Sequence, residues 1–131
     1  MLNMSLNEYI QVVQTSIYLL DDYRLAKEIE IASTFDQPSI VLFTSKVILI
    51  DDSELYVREY LEKLKVIEKV SYSYQYQAAN KALIFRYDNS QHKPALGSED
   101  HKHQQDGSIV PCQMPSINQI IDEVIDYITQ S

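Results

Sequence analysis

The run Ser71-Tyr72-Ser73-Tyr74-Gln75-Tyr76-Gln77 alternates an aromatic residue with a small or amide one over its whole length. Successive side chains of an extended strand point to opposite faces, so this spacing predicts a strand with three tyrosines on one side. Ala78 to Lys81 is turn-sized. Ala82 to Tyr87 then predicts an antiparallel partner, with Leu83, Phe85 and Tyr87 on one face and Ile84 and Arg86 on the other. The tyrosine stripe would serve either to stack single-stranded bases or, the reading preferred here, to pack beneath a helix with its hydroxyls at the rim.

Working outward, the strand begins near Val66, and Leu61 to Lys65 reads either as strand or as a short helical turn. Glu54 to Tyr60 and Ser39 to Ile50 are further strands, joined through Asp51-Asp52-Ser53, whose side chains favour a turn. From Arg24, Leu25, Lys27, Ile29 and Ile31 alternate with Ala26, Glu28 and Glu30, and the strand breaks at a turn over Phe35-Asp36-Gln37-Pro38.

The two ends are helical. Leu6, Tyr9, Ile10, Val13, Ile17 and Leu20 mark one helix face behind a Ser5/Glu8 capping box, ending near Asp21-Asp22. Ser116 and Gln119 open the last helix, striped by Ile117, Ile120, Ile121, Val124, Ile125 and Ile128. The expectation is one α+β domain over residues 1–131: an antiparallel sheet of about five strands with an N-terminal and a C-terminal amphipathic helix packed on it. Residues 90–108 lack an apolar pattern and read as a long surface loop.

Composition excludes several classes. Eleven basic against nineteen acidic residues give a net charge of −8, which argues against a duplex-DNA coat or a membrane-surface protein. The most apolar stretch, Ile40 to Ile50, is interrupted by Thr44-Ser45-Lys46 and is too short to span a bilayer. The single Cys112 has no internal disulfide partner, and no basic residue precedes Arg24, so the cytoplasm is the expected location. Two glycines, Gly97 and Gly107, make a glycine-rich phosphate loop improbable, and no paired-cysteine zinc pattern occurs.

All three histidines fall between His92 and His103, next to Arg86-Tyr87-Asp88-Asn89. Three readings stay open. In the first, His92 acts as base and His101 or His103 as acid on a phosphodiester, with Arg86 and Lys102 neutralising the phosphate. RNA supplies its own 2′-hydroxyl nucleophile, so no cofactor or metal is needed. In the second, His101 and His103 project to one side of an extended segment and bind a metal, completed by His92 or Asp88. The third is a solvated loop in which Arg86 merely pairs with Asp88 and Asp88-Asn89 ends a strand.

The tyrosine run, Leu83-Ile84-Phe85-Arg86-Tyr87-Asp88-Asn89, His92 and His101-Lys102-His103 together resemble the TumE-like family of bacterial toxin–antitoxin proteins. The likeness extends from residue 54 to 128 and includes Arg58-Glu59-Tyr60. It departs where Gln91 and Lys93 replace the proline and second histidine usual in relatives. The resemblance implies a toxin whose partner is a cognate antitoxin, often of helix-turn-helix type. It carries importance onto Arg86, Tyr87, Asp88, Asn89, His92, His101 and His103. Combined with the acid–base reading, Arg86, Asp88, His92, His101 and His103 are the candidate catalytic residues of a metal-independent ribonuclease. Lys93, Lys102, Tyr87 and Asn89 are the candidate RNA contacts. The alternative is a non-catalytic toxin that docks on a partner, and an exposed sheet edge leaves room for a homodimer.

Overall fold

The computed structural model of the protein describes residues 4–90 and 99–130. Its elements, in chain order, are α1 (Leu6–Asp22), β1 (Ala26–Gln37), β2 (Ile40–Leu49), β3 (Glu54–Lys63), β4 (Ile67–Gln77), β5 (Leu83–Asp88), β6 (His101–Gln104), β7 (Ile109–Pro111) and α2 (Ile117–Thr129). The strands form one sheet in which each pairs antiparallel with its chain neighbours, in the order β1 to β7. Among the described residues no helix is long and apolar enough to cross a membrane.

Both helices start as the sequence predicts. Ser5 Oγ accepts from the Glu8 amide and the Glu8 carboxylate accepts from the Ser5 amide, both at 3.0 Å, and Ser116 and Gln119 repeat the device at α2. Both pack their apolar stripes on one face of the sheet. Val13, Ile17 and Leu20 of α1 and Ile120, Ile121 and Val124 of α2 join Val41, Phe43, Leu55, Val57, Tyr74 and Tyr76 in a single buried cluster. Burying each such aliphatic side chain contributes about 1.5–3 kcal/mol.

The sheet has seven strands rather than about five, because the segment read as a loop contains β6, which pairs with both β5 and β7. The strand escapes hydropathy because it holds no apolar residue. Lys102, on its helix-facing side, sets its ammonium over the rings of Tyr87 and Phe85, 5.0 and 5.7 Å from their centroids, and 3.4 Å from Glu123 of α2. A cation over two aromatic rings thus stands where a hydrophobic residue would be expected. Gly107, at φ 89°, makes the β6–β7 turn, where a side chain would be strained.

Other boundaries move for local reasons. β1 runs through Phe35 to Gln37, leaving only Pro38 and Ser39 for the turn, and Leu61 to Lys63 continue β3 rather than forming a helical turn. A register shift between Tyr76 and Gln77 opposes Leu83 to Gln77 and Phe85 to Tyr76, leaving Ile84 as the extra residue. Leu83 therefore shares the face of Arg86, and not that of Phe85 and Tyr87 as strict alternation requires.

A second shift, between Tyr60 and Leu61, leaves Val70 unpaired and turns Lys69 toward the helices. Since one extra residue inverts every side chain beyond it, this bulge drives a lysine into the core. There Lys69 Nζ lies 3.5 Å from Glu59 Oε2 and donates to Tyr74 Oη at 2.5 Å. Tyr9 and Tyr74 donate their hydroxyls to the same carboxylate at 2.6 and 2.5 Å. The tyrosines are packed under the helices as expected, but their hydroxyls lie inside rather than at the rim. Tyr72 donates to Asp100 at 2.7 Å, and Tyr76 Oη is 2.7 Å from Ser53 Oγ.

Candidate functional site

Among the described residues the opposite face of the sheet carries no helix, and it is ordered by strand register. Glu30, Lys46, Tyr56, Gln75, Arg86 and His103 form one cross-strand row from β1 to β6. Ala32, Thr44, Arg58, Ser73, Asp88 and His101 form the adjacent row. Direct cross-strand neighbours share a face, so the polar positions of the tyrosine run and the alternate residues of Arg86 to Asp88 and His101 to His103 meet on one surface.

At its β5–β6 end Asp88 is the hub. Its Oδ1 lies 2.5 Å from His101 Nε2, and its Oδ2 accepts from Arg86 Nε at 2.7 Å and lies 3.4 Å from His103 Nε2. The Ser90 amide donates to Oδ1 at 3.2 Å. Burial pushes the Asp88 carboxyl up, but the Arg86 hydrogen bond, the Ser90 amide and the neighbouring His101 outweigh it, holding the group below the usual aspartate range. The His101 side chain is fully buried, whereas that of His103 keeps 23% of its surface exposed. Their rings meet edge to face, 5.2 Å between centroids.

Above the hub is a shallow cavity of about 440 Å³ lined by Gln75, Leu83, Arg86, Asp88, Ser90 and His103. Of the predicted catalytic residues, Arg86, Asp88, His101 and His103 therefore converge, with His103 and Arg86 facing the cavity. Strand geometry achieves this. An Arg-x-Asp on one strand opposite a His-x-His on the next places four side chains together, Arg86 across from His103 and Asp88 across from His101.

The predicted RNA contacts are placed elsewhere. Tyr87 and Lys102 point to the helix face, where the Tyr87 hydroxyl donates to Glu123 and Lys102 pairs with the same carboxylate. Asn89 is engaged with β4 backbone, accepting from the Tyr72 amide at 3.1 Å and donating to the Val70 carbonyl at 3.0 Å, and so ties down the bulge. His92 and Lys93 lie outside the described residues.

A chain of hydrogen bonds extends the site across the sheet. Arg86 Nη1 donates to Gln75, Gln75 to Gln77, and Gln77 to Glu54, at 3.1, 2.9 and 3.2 Å. Glu54 also accepts from Lys81 and from the Tyr56 hydroxyl, and lies 3.5 Å from Lys46. The Lys81 hydrogen bond outweighs burial and, with Gln77 and Tyr56, holds its carboxyl down at about 2. Sequence reasoning missed this chain, for which the only signal was the set of amides alternating with the tyrosines.

The ligand atoms of Asp88, His101 and His103 lie within 4.8 Å of one another, a donor set of two imidazoles and one carboxylate suited to a divalent transition metal. The Arg86 guanidinium already occupies Asp88 Oδ2, so a cation entering there would have to displace another positive charge.

Comparison with known proteins finds no curated protein and no solved structure that matches the chain. A family model described as Toxin TumE matches residues 16–131, a span that includes all seven strands, α2 and the whole Asp88 cluster. The chain therefore belongs to the TumE toxin family, and membership implies a toxin of a toxin–antitoxin system with a cognate antitoxin as its partner.

Proposed function

We propose that this toxin acts on RNA, cleaving the phosphodiester by metal-independent acid–base chemistry centred on His103 and Arg86. The observation that carries the reading is the convergence of Arg86, Asp88, His101 and His103 on one sheet face, with only one of the two imidazoles at the surface. His103 is the proton carrier, and Arg86, held through Nε by Asp88 and through Nη1 by Gln75, has among the described residues Nη2 left for a phosphate oxygen. Asp88 and His101 are positioning residues. His92 is the second proton carrier on sequence grounds alone.

In this chemistry a base takes the proton of the 2′-hydroxyl, whose oxygen bonds to phosphorus. The bond from phosphorus to the 5′ oxygen breaks, and an acid protonates the leaving oxygen. The products are a 2′,3′-cyclic phosphate and a 5′-hydroxyl. The cognate antitoxin is read as a helix-turn-helix protein, and the long edge strand β1 as the surface through which two copies would pair.

The test is incubation of a defined RNA with the purified chain and with its His92→Ala, His101→Ala and His103→Ala variants, with and without EDTA. Cyclic-phosphate products formed despite chelator and lost in His103→Ala support the reading; a folded wild-type protein that cleaves nothing overturns it. The spacing of Asp88, His101 and His103 favours one second reading, a metal-dependent site, which predicts activity lost to EDTA and restored by a divalent ion.

A further inference from the structure

We propose that the sheet face opposite α1 and α2 is a track for single-stranded RNA, and that a pocket over β2, β3 and β4 holds the base of a nucleotide flanking the phosphate at His103. This deepens the RNA-acting reading and rests on it. The pocket, about 690 Å³, is a recess among Glu30, Lys46, Tyr56, Arg58, Gln75 and Gln77. Its volume is in the range of about 300–1,000 Å³ that accommodates small organic groups.

Three observations identify the occupant. First, the pocket adjoins the Asp88 site, since Gln75 lines both cavities and its side chain bonds Arg86. Arg58 on β3 and His101 on β6 lie in one register row, three inter-strand steps or roughly 14 Å apart.

Second, the lining holds a cation outside any ion pair. Lys46 pairs with Glu54 and Arg86 with Asp88, but Arg58, exposed, donates to the Ser71 hydroxyl at 3.3 Å and forms no ion pair among the described residues. Such an exposed guanidinium suits one phosphate of a polyanion that a molecule of net charge −8 would as a whole repel.

Third, the lining carries the chemistry of base recognition. Tyr56 offers an aromatic ring flanked by the Lys46 ammonium, 5.7 Å from its centroid. Gln75 and Gln77 bring side-chain amides that donate and accept. Unstacked bases are held on aromatic rings or guanidinium planes and read along their edges by amides. The cross-strand placement of Tyr56 opposite Gln75 puts both within the span of one base.

The experiment measures binding separately from cleavage. A fluorescein-labelled hexanucleotide of mixed sequence, with 2′-fluorine in place of every 2′-hydroxyl, cannot undergo attack by that hydroxyl. Its affinity is measured by anisotropy for the wild type, His103→Ala, Tyr56→Phe, Tyr56→Ala and Arg58→Ala. The expected result is binding by the wild type, His103→Ala and Tyr56→Phe, with a loss of about fivefold or more in Tyr56→Ala. Arg58→Ala should weaken binding and lower the slope of log affinity against log salt by about 0.7. Arg58 is exposed, so its variant keeps the test valid even if Tyr56→Ala fails to fold. Affinity unchanged in Arg58→Ala, or no binding by the wild type, overturns the track. Binding that depends on Tyr56 and Arg58 without any cleavage of natural RNA would support the track while overturning the acid–base chemistry.

Discussion

Asp88 Oδ1 and His101 Nε2 lie 2.5 Å apart with the His101 side chain wholly removed from solvent. The other ring nitrogen, Nδ1, is 3.1 Å from the Glu99 carbonyl oxygen, so the imidazole is clamped between two acceptors. Held this way, His101 ties β6 to β5, whereas His103, two residues along the same strand, keeps an exposed edge. The two histidines of one His-x-His pair therefore differ in burial and in partners.

That division predicts different losses. His103→Ala should lower RNA cleavage by about 10² to 10⁴, with little change in melting temperature. His101→Ala should lower stability clearly more, by about 2 kcal/mol or above, because it removes a fully buried side chain and the closest partner of the Asp88 carboxylate, which keeps Arg86 and the Ser90 amide. Rates and thermal unfolding measured side by side check this. Equal destabilisation by both would remove the distinction.

The Asp88 carboxyl has a further consequence with a definite sign. Its folded value lies below the unfolded one, about 3.9, so its contribution is present above that pH and lost as pH falls through the folded value. Urea unfolding of wild type and Asp88→Asn should show a stability gap that narrows as pH falls below about 4. A gap that stays the same from neutral to strongly acidic pH would show that the carboxylate is not selectively held.

The core pair Glu59 and Lys69 predicts non-additivity. Glu59→Ala alone leaves the Lys69 ammonium, 4% exposed, without its carboxylate and should cost about 3–5 kcal/mol. Pairing Glu59→Leu with Lys69→Met should recover much of that, since apolar replacement of both partners of a buried ion pair is often neutral or stabilising. A double-mutant cycle by chemical denaturation reads the coupling. Additive losses would mean that Tyr9 and Tyr74, not the pair, carry the stability of the network.

How much of this is legible beforehand follows from where apolar residues lie. The helices and β2 to β5 bury aliphatic or aromatic stripes, and the alternation of Tyr72, Tyr74 and Tyr76 specifies register well enough to bring Arg86 and Asp88 to the other face. β6 is invisible to hydropathy because its inward residues are Lys102 and Gln104 and its outward ones are histidines. The bulges at Val70 and Ile84 leave no signature either, yet they decide that Lys69 is buried and Leu83 is not. The candidate site was readable as a list of residues. Its division into Arg86, Asp88, His101 and His103 on one face, with Tyr87 and Lys102 on the other, required the register of β5 against β6.

The same register makes a prediction about metal. Because the Arg86 guanidinium sits on Asp88 Oδ2, cleavage should be unaffected by EDTA. Yet the ligand atoms of Asp88, His101 and His103 are close enough for zinc to draw together by displacing Arg86, and zinc favours imidazole and carboxylate donors. Added zinc should therefore inhibit, since it would hold the nitrogen of His103 that must carry a proton and dislodge the cation that faces the phosphate. Arg86→Met should make that inhibition set in at lower zinc concentration, by removing the competing charge. Titrating zinc against the wild type and Arg86→Met, with zinc binding followed calorimetrically, separates the cases. Activation by zinc in place of inhibition would reverse the assignment, making Asp88, His101 and His103 ligands of a working metal.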